Sequence, residues 1–165
     1  MRSSRRMFHL VAIFAVALLS KCEADLIGDF CLKSNNPTLC TNTLRSDPLS
    51  KGADARGLAT IAIKKAEEAT LASINVAKSI SNIGNKGVIS TCIENFSNAG
   101  ANLKECESLI NKRDVGTLRS TGSASLTDIS TCSDEFGGKE PPQLKEATGK
   151  AYTFVQLLLI IANTL

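Results

Sequence analysis

Any catalysis by this chain would rest on carboxylates or lysines, because its 165 residues hold one histidine, His9. That histidine sits in a segment with a distinct reading. Arg2, Arg5 and Arg6 form a basic start, Phe8 to Leu19 is almost unbroken apolar sequence too short for a good membrane span, and Cys22-Glu23-Ala24 is a small-x-small site. The pattern predicts a secretory signal over residues 1–24, cleaved before Asp25. It is preferred to an uncleaved anchor, and Lys21 stands where a lipoprotein site at Cys22 needs a small residue. The remaining segment, residues 25–165, contains no His, Met or Trp. No Ser-His-Asp or Cys-His mechanism and no histidine-ligated metal site can be built from it. Adjacent acids occur at Glu67-Glu68 and Asp134-Glu135, but neighbouring helix positions diverge by about 100° and do not face each other. They read as solvated or dipole-capping residues. Neither catalysis nor a metal or cofactor site is expected.

The cysteines point to structural chemistry instead. Cys31, Cys40, Cys92, Cys106 and Cys132 lie beyond the signal. Export makes disulfides their default state, and their spacing does not match a zinc site. Two bridges among five thiols allow 15 arrangements, with one thiol left over. Charge narrows the partners. Residues 1–24 hold four of the 19 Lys/Arg and one of the 16 Asp/Glu, leaving 15 of each. The net charge of +3 thus belongs to the leader, and nothing in the rest argues for nucleic acid or a membrane surface as partner.

The elements that must position these residues read as helices within one domain. A short segment with Leu26, Ile27, Phe30 and Cys31 is broken at Asn35-Asn36-Pro37, and a second with Leu39, Cys40 and Leu44 ends at Ser46-Asp47-Pro48. Residues 25–50 therefore predict a helical hairpin with Cys31 and Cys40 near its tip. Four long helices are predicted over residues 54–165. The first runs from an Asp54 cap to about Ile83, with Leu58, Ala62, Ala66, Ala69, Val76, Ile80 and Ile83 as its stripe. The second, Val88 to Lys112, places Cys92, Phe96, Ala99, Leu103, Cys106 and Ile110 at alternating steps of four and three. Asp114 caps the third, whose stripe of Val115, Leu118, Gly122, Ser125, Ile129, Cys132 and Phe136 has small residues at its middle, allowing close helix approach. The last carries Leu144, Ala147, Ala151, Phe154, Val155, Leu158, Ile161 and Leu165. A core helix is preferred there to a discarded lipid-anchor signal, because Gln156 and Asn163 interrupt its apolar tail.

Short connections make antiparallel neighbours, which predicts an all-α, up-down-up-down four-helix bundle. Cys92 early in the second helix and Cys132 late in the third then lie at adjacent ends and can bridge. Cys106, on an apolar stripe, reads as a buried free thiol. A sequon at Asn95-Phe96-Ser97 has Phe96 on the core stripe, which argues against occupancy.

The chain resembles the plant invertase/pectin methylesterase inhibitor family. The resemblance is carried by Cys31-Leu-Lys-Ser-Asn-Asn-Pro-Thr-Leu-Cys40, Leu44-Arg-Ser-Asp-Pro48, Gly57-Leu58, Cys92-Ile-Glu-Asn-Phe96, Ser123-Ala-Ser-Leu126, Thr131-Cys-Ser-Asp-Glu-Phe136 and Leu158-Leu-Ile-Ile-Ala-Asn163. It implies disulfides Cys31–Cys40 and Cys92–Cys132. It also implies a secreted protein of the apoplast or cell wall that blocks a carbohydrate enzyme one-to-one as a monomer, with no cofactor. The target is pectin methylesterase in one branch and acid invertase in the other. The invertase branch tends to carry Pro-Lys-Phe before the last helix. Gly138-Lys-Glu-Pro-Pro-Gln143 lacks it and is more similar to the pectin methylesterase inhibitors. The positions matching enzyme-facing residues of that branch are Glu94, Asn98, Asp114, Thr131 and Asp134.

Overall fold

The computed structural model describes residues 25–82 and 85–165. The signal reading and the helix position of Ile83 fall outside them. Helix α1 (Leu26–Cys31) begins where the Asp25 carboxylate accepts the Gly28 N–H at 3.1 Å. Helix α2 (Pro37–Ser46) is opened by Asn36, whose side chain accepts from Leu39 N at 3.1 Å, and by Pro37, which has no N–H to leave unsatisfied. Cys31 and Cys40 are bridged, their Cα atoms 5.5 Å apart. An Arg45–Asp25 ion pair at 2.6 Å ties the open end of the hairpin. A 3-10 turn (Pro48–Ser50) then leads into the bundle.

Each of the next three helices has a side-chain N-cap. Asp54 accepts from Gly57 N at 2.8 Å for α3 (Ala55–Ser79), Asn85 caps α4 (Lys86–Lys112), and Asp114 accepts from Thr117 N at 3.1 Å for α5 (Val115–Glu135). α4 ends with Arg113 in the left-handed region at φ 61°, and Asp114 N–H returns to Leu109 O at 3.1 Å. Helix reversal and the next cap are thus packed into two residues. α6 (Pro142–Ala162) follows a turn with Gly137 and Gly138 at φ +55° and +80°, where a side chain would be strained.

The packing is cyclic: α3 lies against α4, α4 against α5, α5 against α6, and α6 against α3. This is the expected up-down-up-down bundle. The α4 stripe of Cys92, Phe96, Ala99, Leu103, Cys106 and Ile110 is at most 1% exposed. Gly122 on α5 allows the expected close approach: a Cβ there would stand 3.0 Å from Leu159 Cδ2 on α6.

Two stripes differ from the sequence reading. In the second half of α3 the core passes through Thr70, Ser73 and Ala77, while Ala69 and Val76 are half-buried beside an open groove against α6. Ser73 can be buried because its hydroxyl donates to Ala69 O one turn back at 3.0 Å. On α6, Thr148, Thr153 and Leu157 join the core while Ala147 and Leu165 are half-buried. The hairpin is the reason. It covers a third side of α6, with Phe30 and Leu44 buried beneath it. A helix covered from three directions needs the near-continuous apolar run that reads as a tail in sequence. No helix among the described residues is long and apolar enough to cross a membrane.

Candidate functional site

The α4–α5 pair is a rigid platform. Cys92 and Cys132 are bridged with Cα atoms 4.6 Å apart. Further along, Ser125 Oγ donates to Ala99 O at 3.2 Å, and Asn102 Nδ2 donates to Asp128 Oδ2 at 3.0 Å. These three links fix the register of the antiparallel helices in the half of the pair that holds the disulfide. Arg56 of α3 reaches over to donate to Ile110 O at 3.2 Å, satisfying a carbonyl of the last turn of α4. Of the three links within the pair, only the disulfide has a sequence signal. Serine and asparagine in a helix do not announce their partners.

On this platform Glu94, Asn98 and Asp134 are exposed and Thr131 is half-buried. The register brings these four to the disulfide end of the pair. Among the described residues, the Glu94, Asn98 and Asp134 side chains make no hydrogen bond or ion pair, so their polar atoms are free to meet a partner. Thr131 donates to Thr127 O at 2.9 Å and still offers acceptor capacity. Asp114 stands apart. It caps α5 at the opposite end, about 24 Å from Asn98 along the α4 axis. Its hydrogen bonds to Thr117 hold the carboxyl below the ordinary carboxylate range. Asn95 of the sequon is half-buried and Phe96 fully buried.

The helix stretches around these residues carry charge of one sign, bounded by Lys86 at the start of α4 and Lys139 after α5. From Gly87 to Leu103 on α4, and from Ser120 through α5 to Gly138, there is no Lys or Arg, while Glu94, Asp128, Asp134 and Glu135 fall in those stretches. The sequence held this signal, but reading net charge over the whole chain hides it. Asp128 faces α5's partner helix, and burial pushes its carboxyl up despite the hydrogen bond from Asn102.

Cys106 is the free thiol, fully buried, its pKa pushed up to about 12 by burial and by the neighbouring Glu105 charge. It packs as a small apolar residue. Among the described residues no group of His, Cys, Asp and Glu side chains is placed to hold a metal ion.

These features define a class: a disulfide-stapled helical bundle that presents an exposed polar face instead of an enclosed site. The chain belongs to the plant invertase/pectin methylesterase inhibitor family, whose model matches residues 25–162. It is 32% identical over 151 residues to a pectinesterase inhibitor of Actinidia deliciosa, covering 88% of this chain and 82% of that protein. It is 25% identical over 137 residues to a candidate invertase inhibitor of Platanus orientalis, covering 77% of this chain and 81% of that one. Among solved structures, a mutant form of a pectin methylesterase inhibitor from Arabidopsis matches with a TM-score of 0.73 at 20% identity, covering 84% of this chain and 96% of that chain, which shows a shared fold.

Proposed function

We propose that the chain is a secreted, non-catalytic inhibitor that docks one-to-one on a plant pectin methylesterase and covers its pectin-binding cleft. The observation that carries the choice of target is the 32% identity to a pectinesterase inhibitor. The docking face is the acidic end of α4–α5, with Glu94, Asn98, Thr131 and Asp134 at its centre and Asp114 at the far rim. A stable complex buries roughly 800 Å² on each partner, a patch long enough to reach from Asn98 to Asp114. A face whose helix stretches carry acids and no cation favours a basic rim on the enzyme, so association slows as salt is added. Export through the signal over residues 1–24 brings the protein to the apoplast and supplies the oxidising setting for its bridges.

The test is release of methanol from methyl-esterified pectin by a plant pectin methylesterase. Residues 25–165 should stop it at near-equimolar ratio. No inhibition across several isoforms and acidic pH values refutes the reading. The relative from Platanus orientalis supports a second reading, inhibition of acid invertase. Sucrose hydrolysis measured in parallel separates the two, since loss of invertase activity with the esterase untouched selects the second.

A further inference from the structure

The links inside the α4–α5 pair differ in where they lie. The disulfide and the Ser125–Ala99 bond sit against the core, with Cys92, Ala99, Ser125 and Cys132 fully buried. The Asn102–Asp128 bond lies on the outer side of the seam, and both its residues are half-buried. Asn102 follows Asn98 by four residues on α4, and Asp128 precedes Thr131 by three on α5. Helix positions three or four apart are surface neighbours. The pair therefore extends the proposed docking face by one turn on both helices.

A carboxylate is a poor choice for a merely structural link here. Asp128 Oδ2 accepts from Asn102, while Oδ1 makes no hydrogen bond among the described residues and is not enclosed. No Lys or Arg pairs with Asp128 among the described residues. None occurs from Ser120 to Gly138 around it, or from Gly87 to Leu103 on the facing helix. Burial disfavours the charge, and the Asn102 amide offsets that only in part, so the carboxyl stays above the ordinary carboxylate range. An asparagine at this position would accept the same bond without that cost. The register does not need the charge, since the disulfide and the Ser125 bond also set it. Approach from solvent is open, because Ala124, one turn before Asp128 on α5, is exposed and ends at its methyl group. A half-buried carboxylate without a counter-charge, held in place and open at one oxygen, is preorganised for a cation supplied from outside.

We propose that Asp128 is a further contact of the docking face, its open oxygen receiving a cationic side chain of the target enzyme while Asn102 holds the other oxygen. This rests on the reading that the α4–α5 face docks on a pectin methylesterase. The incoming cation replaces hydration that Asp128 has already lost, so a charge that is unfavourable in the free chain becomes favourable in the complex.

The test compares wild type, Asp128→Asn and Asp29→Asn as inhibitors of a pectin methylesterase at low and moderate salt, with thermal unfolding of each. Asp128→Asn keeps an acceptor for Asn102 and removes only the charge. It should weaken inhibition by about tenfold, flatten the dependence on salt, and leave the unfolding midpoint unchanged or raised. Asp29 is an exposed acid of α1, in the hairpin that packs on α6. Asp29→Asn makes the same change in net charge and should inhibit as wild type does. A loss for Asp128→Asn no greater than that for Asp29→Asn overturns the proposal. So does a loss accompanied by a lower unfolding midpoint, which is what a purely structural bond would give. Both results leave the docking reading intact. A wild type that inhibits no pectin methylesterase removes the docking reading and this proposal together.

Discussion

Replacing Cys92 and Cys132 together by alanine will destabilise the chain more than replacing Cys31 and Cys40. The two bridges differ in the length of chain they close, 40 residues against 9. In the chain-entropy model the long closure is worth about 4 kcal/mol and the short one about 2.5 kcal/mol. All four cysteines are fully buried, so the packing lost on truncation is of the same kind at both sites and largely cancels in the comparison. Paired substitution is needed, because a single one leaves a thiol in a core that already holds Cys106. Urea unfolding followed by helical circular dichroism gives the free energies directly. The C92A/C132A chain should lose about 1 to 1.5 kcal/mol more than C31A/C40A. Its melting temperature should fall by about 10–15 °C for a chain of this size. A loss below about 1 kcal/mol for the long bridge, or a larger loss for the short one, would refute the entropic reasoning. It would mean that residual structure in the unfolded ensemble already restricts the loop that the bridge closes.

Cys106 should resist a thiol-reactive dye at pH 8 in the native chain and react fully in denaturant, because its thiolate is suppressed by burial; rapid native labelling would contradict the packing. Glu67 on α3 is held above the ordinary carboxylate range by burial first and then by Glu107 on α4, against the lowering effects of Lys104 and Lys64. Since its folded value is raised, the stability linked to it is fully present below the unfolded value and is lost as pH rises through the folded one. Glu67→Gln should therefore raise the unfolding midpoint at pH 7 and leave it near wild type at about pH 4; equal midpoints at both would show that the carboxylate finds adequate solvation. Gly122→Val should cost about 1–3 kcal/mol by overpacking against Leu159, whereas Gly122→Ala meets only the far end of that flexible side chain and regains about 1 kcal/mol of helix propensity. Thermal melts of the two variants check the difference in sign and size.

Much of the fold is written locally. Asp54, Asn36 and Asp114 cap helices through bonds to N–H groups three residues on, and the α4 stripe repeats over a few turns. Such features depend on near neighbours in the chain, so they can be read in order from residue types. Even the Cys92–Cys132 bridge follows once two helices are known to run antiparallel. Of the proposed docking face, the sequence supplied Glu94, Asn98, Thr131 and Asp134 through a family likeness, and it held the cation-free helix stretches around them.

Tertiary structure decided what depends on residues far apart. Gln156, an interruption in an apolar tail by sequence, accepts the Asn35 N–H at 2.7 Å, and the Thr153 hydroxyl donates to Asn35 Oδ1 at 2.9 Å. These bonds seat the hairpin tip on α6 across separations of 121 and 118 residues. No periodicity encodes that contact, so Thr153 in the core does not follow from a helical wheel. An open groove between α5 and α6 is lined by the small residues Ser130, Ser133 and Gly149. Which small residues face each other is fixed by packing, not by their order along the chain.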